Sequence, residues 1–299
     1  MRYSLGVDIG GTNIRVAIVS EDGEIIKVLK EPTDKSDGKN SLLNQVVRMY
    51  KSVTENTNYK LEGIGVGVPG PVNPKNGFVY ILPNLNIEEI PVKEYLEEKT
   101  GLKVHVGNDA NVAGLAEAYV GNGKGYDMVQ YLTISTGIGG GLIINKKIIA
   151  GNYGFAQEVG STVVNLDGRK SHNFKPDGCI EILASGSQLV KIANEDFSLK
   201  VSHAGEIFEL ANNGNKSALQ IKDEWLENMA AFFGNLVSIL EPDIFVVGGG
   251  LMKSSAYFLE ELIQRVDKYV FEFLRGKIKI VPAKYDQDAG IIGAAMQAF

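Results

Sequence analysis

Two glycine-containing turns in this chain have the composition of anion-binding sites. The first has the sequence DIGGTN at 8–13 and lies between two strand-like segments. Glycine lets the backbone approach an anion closely, and hydroxyl and amide side chains supply hydrogen-bond donors. We expect this turn to bind phosphate and Asp8 to face a magnesium ion through water; the alternative is a simple hairpin. The expected phosphate contacts are Gly10, Gly11, Thr12 and Asn13.

The second turn repeats this arrangement, and a third glycine cluster follows a buried-looking strand. STGIGGG at 135–141 again joins two strands, so Thr136 and Gly137 are expected to help hold a polyphosphate. Gly248 and Gly249 follow the expected strand 243–247 and precede a helix, where bare backbone can pack against an adenine or ribose. A purely structural turn is the alternative. The phosphate-loop and dinucleotide fingerprints are missing from these segments.

Asp109 is the candidate general base for phosphoryl transfer to a hydroxyl group. Phosphoryl transfer needs a positioned nucleophile and charge stabilisation, and one carboxylate within hydrogen-bond reach of the acceptor hydroxyl can accept its proton. Asp109 lies where a helix is expected to begin, and a helix N-terminus favours the ionised carboxylate. In the competing interpretation, Asn108 and Asp109 are N-cap residues with a structural role.

The elements that carry these residues predict an α/β fold with two related lobes. Three strand-like segments, 3–8, 14–19 and 24–29, open the chain as a meander. A strand–glycine turn–strand pattern returns at 128–149, which is a degenerate internal repeat. Further strands are expected at 62–68, 103–106, 243–247 and 277–281, and helices at 42–56, 92–100, from 109, over much of 179–240, near 255–273 and from 288. Residues 151–177 are expected to form a long functional loop.

Composition bounds the function classes. The chain has 299 residues, of which 44% are hydrophobic and 22% charged, which suffices for two lobes. A formal charge of −6 gives no general attraction to nucleic acid or anionic membranes. Neither a signal sequence nor an apolar run of membrane-spanning length is present, and Cys179 is the one cysteine. We expect a cytoplasmic protein that binds no nucleic acid or membrane.

The chain resembles the ROK (repressor, open reading frame, kinase) family of bacterial sugar kinases and sugar-responsive repressors. The resemblance runs over nearly the whole chain. The motifs that carry it are DIGGTN at 8–13, GVGVPGPV at 65–72, LPNL at 82–85, GNDANVAG at 107–114, STGIGGG at 135–141, QEVG at 157–160, GCIE at 178–181, EPDIFVVGGG at 241–250 and DAGIIGAA at 288–295.

The resemblance implies a two-lobed actin-like ATPase (ribonuclease H-like) fold with a central cleft. The expected small N-terminal lobe is 1–107 plus 287–299, and the large C-terminal lobe is 108–286. The resemblance also implies ATP and Mg²⁺ as cofactors and gives Asp109 the role of base. The implied contacts to the sugar are Gly70, Asn84, Asn108, Glu158 and Glu181. We expect a homo-oligomer, a dimer.

One family feature is damaged in this sequence. Many relatives hold a structural zinc with a histidine in E-x-G-H and three cysteines in C-x-C-G-x-x-G-C-x-E. Here Ser161 replaces the histidine, His172 and Phe174 replace two cysteines, and Lys175 replaces the motif's first glycine. Only Cys179 remains as a thiolate ligand, so we expect no structural zinc. Because the missing histidine is also a family sugar contact, Ser161 is expected to read that part of the sugar differently.

The resulting hypothesis is an ATP-dependent kinase acting on the 6-hydroxyl of N-acetylmannosamine or glucose. The repressors of the family carry a helix-turn-helix module before the kinase-like core, and none is expected here because the phosphate turn begins at residue 8. Two alternatives remain: a sugar-sensing protein without catalysis, and an actin-like ATPase without an acceptor.

Overall fold

A computed structural model describes residues 1–171 and 175–299. The chain divides into two compact units. The first contains Met1–Tyr131, Gly141–Gln157 and Lys284–Phe299, and the second contains Leu132–Gly140 and Glu158–Ala283. The lobes expected from the sequence, 1–107 plus 287–299 and 108–286, place the boundary earlier in the chain and stay a prediction.

The first sheet begins with the expected meander. Strands β1 (Tyr3–Ile9), β2 (Asn13–Ser20) and β3 (Ile25–Pro32) are antiparallel neighbours. Strand β4 (Leu61–Val68) pairs in parallel with β1. Strands β5 (Val79–Leu82) and β6 (Ile87–Ile90) form a separate hairpin. Strand β7 (Val104–Asn108) pairs in parallel with β4, which gives the order β3-β2-β1-β4-β7 and makes β7 an edge strand.

The second sheet repeats the strand–turn–strand opening. It contains β8 (Met128–Ile134), β9 (Ile138–Ile144), β10 (Lys147–Ile148), β11 (Ile244–Gly248) and β12 (Ile280–Pro282). Their order is β10-β9-β8-β11-β12, with β9 and β10 antiparallel and β11 and β12 parallel. The predicted internal repeat is confirmed in its strand–turn–strand part.

Nine α-helices complete the described chain. The first three are α1 (Gly38–Thr54), α2 (Val92–Thr100) and α3 (Asp109–Val120). The second unit holds α4 (Ile180–Ala184), α5 (Gly186–Glu195), α6 (Ala204–Asn212), α7 (Lys216–Leu240) and α8 (Leu259–Val266). The last, α9 (Ala289–Met296), belongs to the first unit.

Helix α9 lies directly on the first sheet and against α3. A Cβ atom at Gly65 of β4 would lie 1.6 Å from the carbonyl oxygen of Ala294, and one at Gly293 would lie 1.6 Å from that of Val112. These positions require glycine because backbone meets backbone. The Ser4 hydroxyl also donates a hydrogen bond to the carbonyl of Ala295 at 2.9 Å. The helix that begins at Asp109 is therefore held from behind by the last helix of the chain.

Each unit has its own apolar core. In the second, the rings of Phe208, Trp225 and Phe258 pack with centroids 4.8 to 5.1 Å apart. The indole Nε1 of Trp225 donates to the carbonyl of Ala184 at 2.9 Å, at the end of α4. Since a buried indole N–H needs an acceptor, this bond fixes the short helix that carries Glu181 to the core.

Several expectations about elements need correction. The helix expected near 255–273 is broken: a 3-10 helix at Gly250–Tyr257 ends where Phe258 takes φ −145°, and only α8 is α-helical. Strand β12 is shorter than the expected 277–281. The β5–β6 hairpin was not expected, and the long loop contains a 3-10 helix at Val159–Ser161. No helix in the described ranges is long and apolar enough to cross a membrane.

Candidate functional site

The first glycine turn is held in a fixed shape. The amide of Gly10 donates to the carbonyl of Asn13 at 2.9 Å, and the hydroxyl of Thr33 donates to the carbonyl of Gly10 at 2.7 Å. A Cβ atom at Gly10 would lie 2.9 Å from the Asn13 carbonyl oxygen, so a side chain there would distort the turn. The turn lines a cavity of about 580 Å³ together with Asp8, Arg15 and Asp288.

The charges in this cavity are suited to a hydrated metal beside an anion. Burial raises the pKa of Asp8, and the nearby Arg15 partly offsets this effect. The Arg15 guanidinium is paired with the carboxylate of Asp288 and donates to the Gln287 carbonyl at 2.7 Å. Mg²⁺ usually keeps several waters and binds one or two carboxylates plus substrate phosphates, and this donor set fits that pattern. Arg15 was not identified from the sequence, although it lies on the same face of β2 as Asn13, two residues earlier.

Asn108 caps helix α3, and Asp109 does not. The Oδ1 atom of Asn108 accepts hydrogen bonds from the amides of Ala110 at 3.0 Å and Asn111 at 3.4 Å, with the extended backbone of an N-cap residue. Asp109 is the first helical residue, and its exposed carboxylate accepts from the Ala110 amide at 2.8 Å. Of the two residues expected as possible N-caps, Asn108 is therefore the cap. The Asp109 carboxylate lies at the helix N-terminus, where the helix dipole favours its negative charge.

The first unit contains three residues that are expected to contact the sugar: Gly70, Asn84 and Asn108. The Nδ2 atom of Asn108 is 3.4 Å from the carbonyl oxygen of Gly70, at the loop after β4. Asn84 lies in the turn between β5 and β6, and a Cβ atom at Gly11 would lie 3.0 Å from the Cβ of Asn84. The unexpected hairpin thus brings Asn84 next to the first glycine turn.

The second glycine turn is held by helix α5. The hydroxyl of Ser187 donates to the Thr136 carbonyl at 2.6 Å, and the amide of Gly186 donates to the Ser135 carbonyl at 2.7 Å. Thr136 and Gly137 line a cavity of about 220 Å³ in the second unit. The Thr136 side chain remains exposed.

Glu181 lies beside that turn with both carboxylate oxygens engaged. Its Oε2 accepts from the amide of Ile138 at 2.9 Å, and its Oε1 is 2.6 Å from the Nζ atom of Lys175. A Cβ atom at Gly160 would lie 3.1 Å from Oε2, so the loop that carries Glu158 passes next to Glu181. Each carboxylate oxygen has a second lone pair with which to accept from a ligand. Lys175 was noted in the sequence only as a departure from a motif, and that departure was the available signal.

The third glycine cluster, at Gly248 and Gly249, has a structural role. Gly248 ends β11, and Gly249 has φ +94°. A Cβ atom at Gly249 would lie 2.4 Å from the Ile134 carbonyl oxygen of the neighbouring strand. A purely structural turn is therefore sufficient to explain the glycine at position 249. A nucleotide contact at Gly248 and Gly249 stays a prediction.

Backbone hydrogen bonds hold the loop that contains the damaged zinc motif. The Val164 amide donates to the Gly178 carbonyl at 3.1 Å, and the Ile180 amide donates to the Thr162 carbonyl at 2.9 Å. Cys179 is buried between them. The positions of His172 and Phe174 lie outside the described residues, so the expectation of no structural zinc stays a prediction.

The expected site residues fall into two groups, one in each unit. The first unit contains Asp8, Gly10, Gly11, Thr12, Asn13, Gly70, Asn84, Asn108 and Asp109. The second unit contains Thr136, Gly137, Glu158, Glu181, Gly248 and Gly249.

Comparison with known proteins gives one consistent family. The sequence profile of the ROK family matches residues 4–298. The chain is 30% identical to a glucokinase of Thermotoga maritima over 97% of this chain and 95% of that protein. It is 31% identical to an N-acetyl-D-glucosamine kinase of Pasteurella multocida over 99% of this chain and 98% of that protein.

Solved structures agree with the sequence matches. A ROK hexokinase of Thermus thermophilus is 29% identical, with a TM-score of 0.88 over 98% of this chain and 97% of that one. A ROK family glucokinase of Streptomyces griseus in complex with glucose and AMPPNP is 30% identical, with a TM-score of 0.75 over 98% of both chains. These matches establish the α/β fold of the ROK sugar kinases, the two-lobed actin-like type.

Proposed function

The chain belongs to the ROK family and is an ATP-dependent hexose kinase, and we propose that it phosphorylates the 6-hydroxyl of its sugar with Asp109 as the base. The carboxylate of Asp109 carries this proposal. It is exposed at the N-terminus of α3, while Asn108 has taken over the capping of that helix.

The residues around Asp109 have complementary roles. Asp109 accepts the proton of the acceptor hydroxyl as its oxygen attacks the γ-phosphorus, and one such base contributes about 10²- to 10⁴-fold. Asn108 and the carbonyl of Gly70, 3.4 Å apart, orient the sugar beside it. Asn84 supplies an amide next to the glycine turn. In the second unit, Glu158 and Glu181 accept hydrogen bonds from further hydroxyl groups.

The glycine turns are the proposed phosphate contacts. The amides and side chains of Gly10, Gly11, Thr12 and Asn13 donate to phosphate oxygens, and Thr136 and Gly137 do so in the second unit. Gly248 and Gly249 are assigned to the nucleoside part of ATP. A magnesium ion held through water by Asp8 would neutralise charge on the phosphates.

Glucose and N-acetylmannosamine are the two candidate acceptors. The glucokinase relatives support glucose. N-acetylmannosamine is the second candidate because, within the family resemblance, its kinases vary more at the zinc motif, which is damaged here. Ser161, which replaces the family histidine that contacts the sugar, lies one turn after Glu158 in the 3-10 helix. A homodimer and a cytoplasmic location remain proposals.

A coupled assay of ADP formation with a panel of aldoses and N-acylhexosamines tests the function. We expect turnover only with a sugar present, and most strongly with one of these two. ATP turnover without sugar would support an actin-like ATPase, and sugar binding without turnover would support a sensor.

A further inference from the structure

The first unit has a second cavity, of about 600 Å³, that shares no lining residue with the cavity at the Gly10–Thr12 turn. Edge strand β7, helix α3 and the β9–β10 hairpin contribute to its walls. We call it the lysine cavity after its four lysines, Lys75, Lys93, Lys146 and Lys147. Of the residues proposed to act in catalysis or to bind the sugar, Asn108 alone lines this cavity. Its Oδ1 atom already accepts the hydrogen bond that caps helix α3.

The four lysines reach the cavity from three separate segments. Lys75 lies in the loop before β5, and Lys93 lies in the first turn of α2. Lys146 lies in the tight turn that joins β9 and β10, and Lys147 is the first residue of β10. That turn is fixed by left-handed backbone at Asn145 (φ +49°) and Lys146 (φ +62°). In the described part of the chain, no Asp or Glu side chain lines the cavity. Like charges brought together in this way favour an anion between them.

His105 on β7 is exposed to the same positive field. Its pKa is lowered by burial first, and then by Lys103 and Lys93, while Glu97 opposes this. These effects favour the neutral form of the imidazole at the wall. A neutral imidazole can donate one hydrogen bond and accept another without adding charge.

Asn111 gives the cavity an unsatisfied acceptor. This residue is 4% exposed and lines the cavity, and its Oδ1 atom has no hydrogen-bond partner among the described residues. A buried carbonyl oxygen without a donor costs free energy, which a hydroxyl group of a ligand would recover. This observation is independent of the lysines.

We propose that the lysine cavity binds a small phosphate monoester that carries a free hydroxyl group. A phosphate monoester has a charge near −2 at neutral pH and three acceptor oxygens, which suit the lysines. A hydroxyl of the same molecule donates to Asn111. The volume is in the range of small-molecule sites, and a hexose phosphate is small enough to fit. This assignment is independent of the role of Asp109.

Calorimetric titration of the full chain at low salt tests the site. Glucose 6-phosphate and glycerol 3-phosphate are the esters, inorganic phosphate lacks the hydroxyl, and glucose lacks the charge. We expect at least one ester to bind in the presence of saturating AMPPNP and glucose, and inorganic phosphate to bind about five- to tenfold more weakly. Preference for glucose 6-phosphate would indicate a hexose ester, and preference for glycerol 3-phosphate a smaller polyol ester.

A charge-matched pair of variants locates the binding. Lys146→Met with Lys147→Met should weaken ester binding about tenfold or more, since two charge-assisted hydrogen bonds are lost. Lys51→Met with Lys60→Met removes the same charge from exposed positions outside the cavity and should change affinity less than twofold. Equal weakening by both pairs, no ester binding, or displacement by AMPPNP and glucose would overturn the proposal. Equal affinity for inorganic phosphate would overturn the role of Asn111.

Discussion

Lys175 and Glu181 form an ion pair, with 2.6 Å between Nζ and Oε1. Both side chains are partly buried. The amide of Ile138 holds the other carboxylate oxygen of Glu181. The lysine thus orients a proposed sugar ligand, and it occupies a position that holds glycine in the family motif.

Replacing Lys175 should therefore weaken sugar binding. We expect Lys175→Met to raise the sugar KM about two- to fivefold, the range for a partly exposed pair, because Glu181 loses one of its two anchors. The ATP KM should stay unchanged, and Lys175→Arg should restore most of the loss. Lys170→Met is the matched control, since Lys170 pairs with Asp177 at 2.9 Å and is largely exposed. Equal effects of the two variants would contradict a positioning role.

Asp109→Asn tests the base directly. Because the amide cannot accept the proton, kcat should fall by about 10²- to 10⁴-fold while AMPPNP binding is kept. The cap of α3 comes from Asn108, so the thermal midpoint should barely change. Asp22→Asn, in an exposed turn, is the control. A kcat within twofold of wild type would remove Asp109 from the mechanism.

Glu158→Ala and Glu181→Ala should each raise the sugar KM far more than the ATP KM. Each removes an acceptor for a sugar hydroxyl that is desolvated on binding. Initial-rate measurements with both substrates varied separate the two constants. If both constants rise together for either variant, that residue supports the fold rather than the sugar.

The raised pKa of Asp8 predicts a pH dependence of magnesium use. As pH falls through this raised pKa, the carboxylate becomes protonated and loses its attraction for the hydrated ion. The Mg²⁺ concentration for half-maximal activity should therefore rise as the pH is lowered toward and through this raised pKa. Asp22→Asn should follow wild type, and a flat profile for wild type would contradict the assignment.

The raised pKa of Asp8 also affects stability, and in the opposite direction: lowering the pH weakens magnesium binding but stabilises the fold. Burial of the charged Asp8 destabilises the fold above the raised pKa, and this cost is relieved as pH falls through it. Asp8→Asn should accordingly unfold at a higher temperature than wild type at pH 8, with a difference that shrinks in acid. Thermal unfolding over the pH series measures this difference.

The protein should contain no stoichiometric zinc. Four nitrogen or sulfur ligands are usual for such a site, and three of the four ligand positions of the family motif hold Ser161, His172 and Phe174 in this sequence. Elemental analysis of protein purified without added metal should find far less than one zinc per chain. Activity should survive chelation once excess Mg²⁺ is restored. About one zinc per chain, lost in Cys179→Ser, would contradict this expectation.

The sequence predicted most strands and both phosphate-type turns, because apolar alternation and glycine clusters are local signals. It did not separate Asn108 from Asp109 as the cap, since both residue types cap helices well and the choice depends on backbone angles at that turn. The β5–β6 hairpin was missed because its turn uses Asn86 at φ +53° rather than glycine.

Interactions between distant residues were the harder part. The pair of Lys175 and Glu181 forms only when a loop folds back on a helix, and the pairing of Arg15 with Asp288 joins residues from opposite ends of the chain. No local pattern reports such contacts. The break of the expected helix at Phe258 was also missed, because its ring is drawn into the core beside Trp225.

The position of α9 has a consequence for the order in which the protein acquires its structure during synthesis. Ser4 and Ala295, joined by a hydrogen bond, are separated by 291 residues. On the ribosome, the N-terminal strands emerge first, and almost the entire chain is synthesised before the helix that covers them. Contacts of such high sequence separation slow folding, because the closing of a long loop precedes the gain in packing. The glycine-lined face of β1 and β4 is therefore uncovered in the nascent chain until α9 has left the exit tunnel.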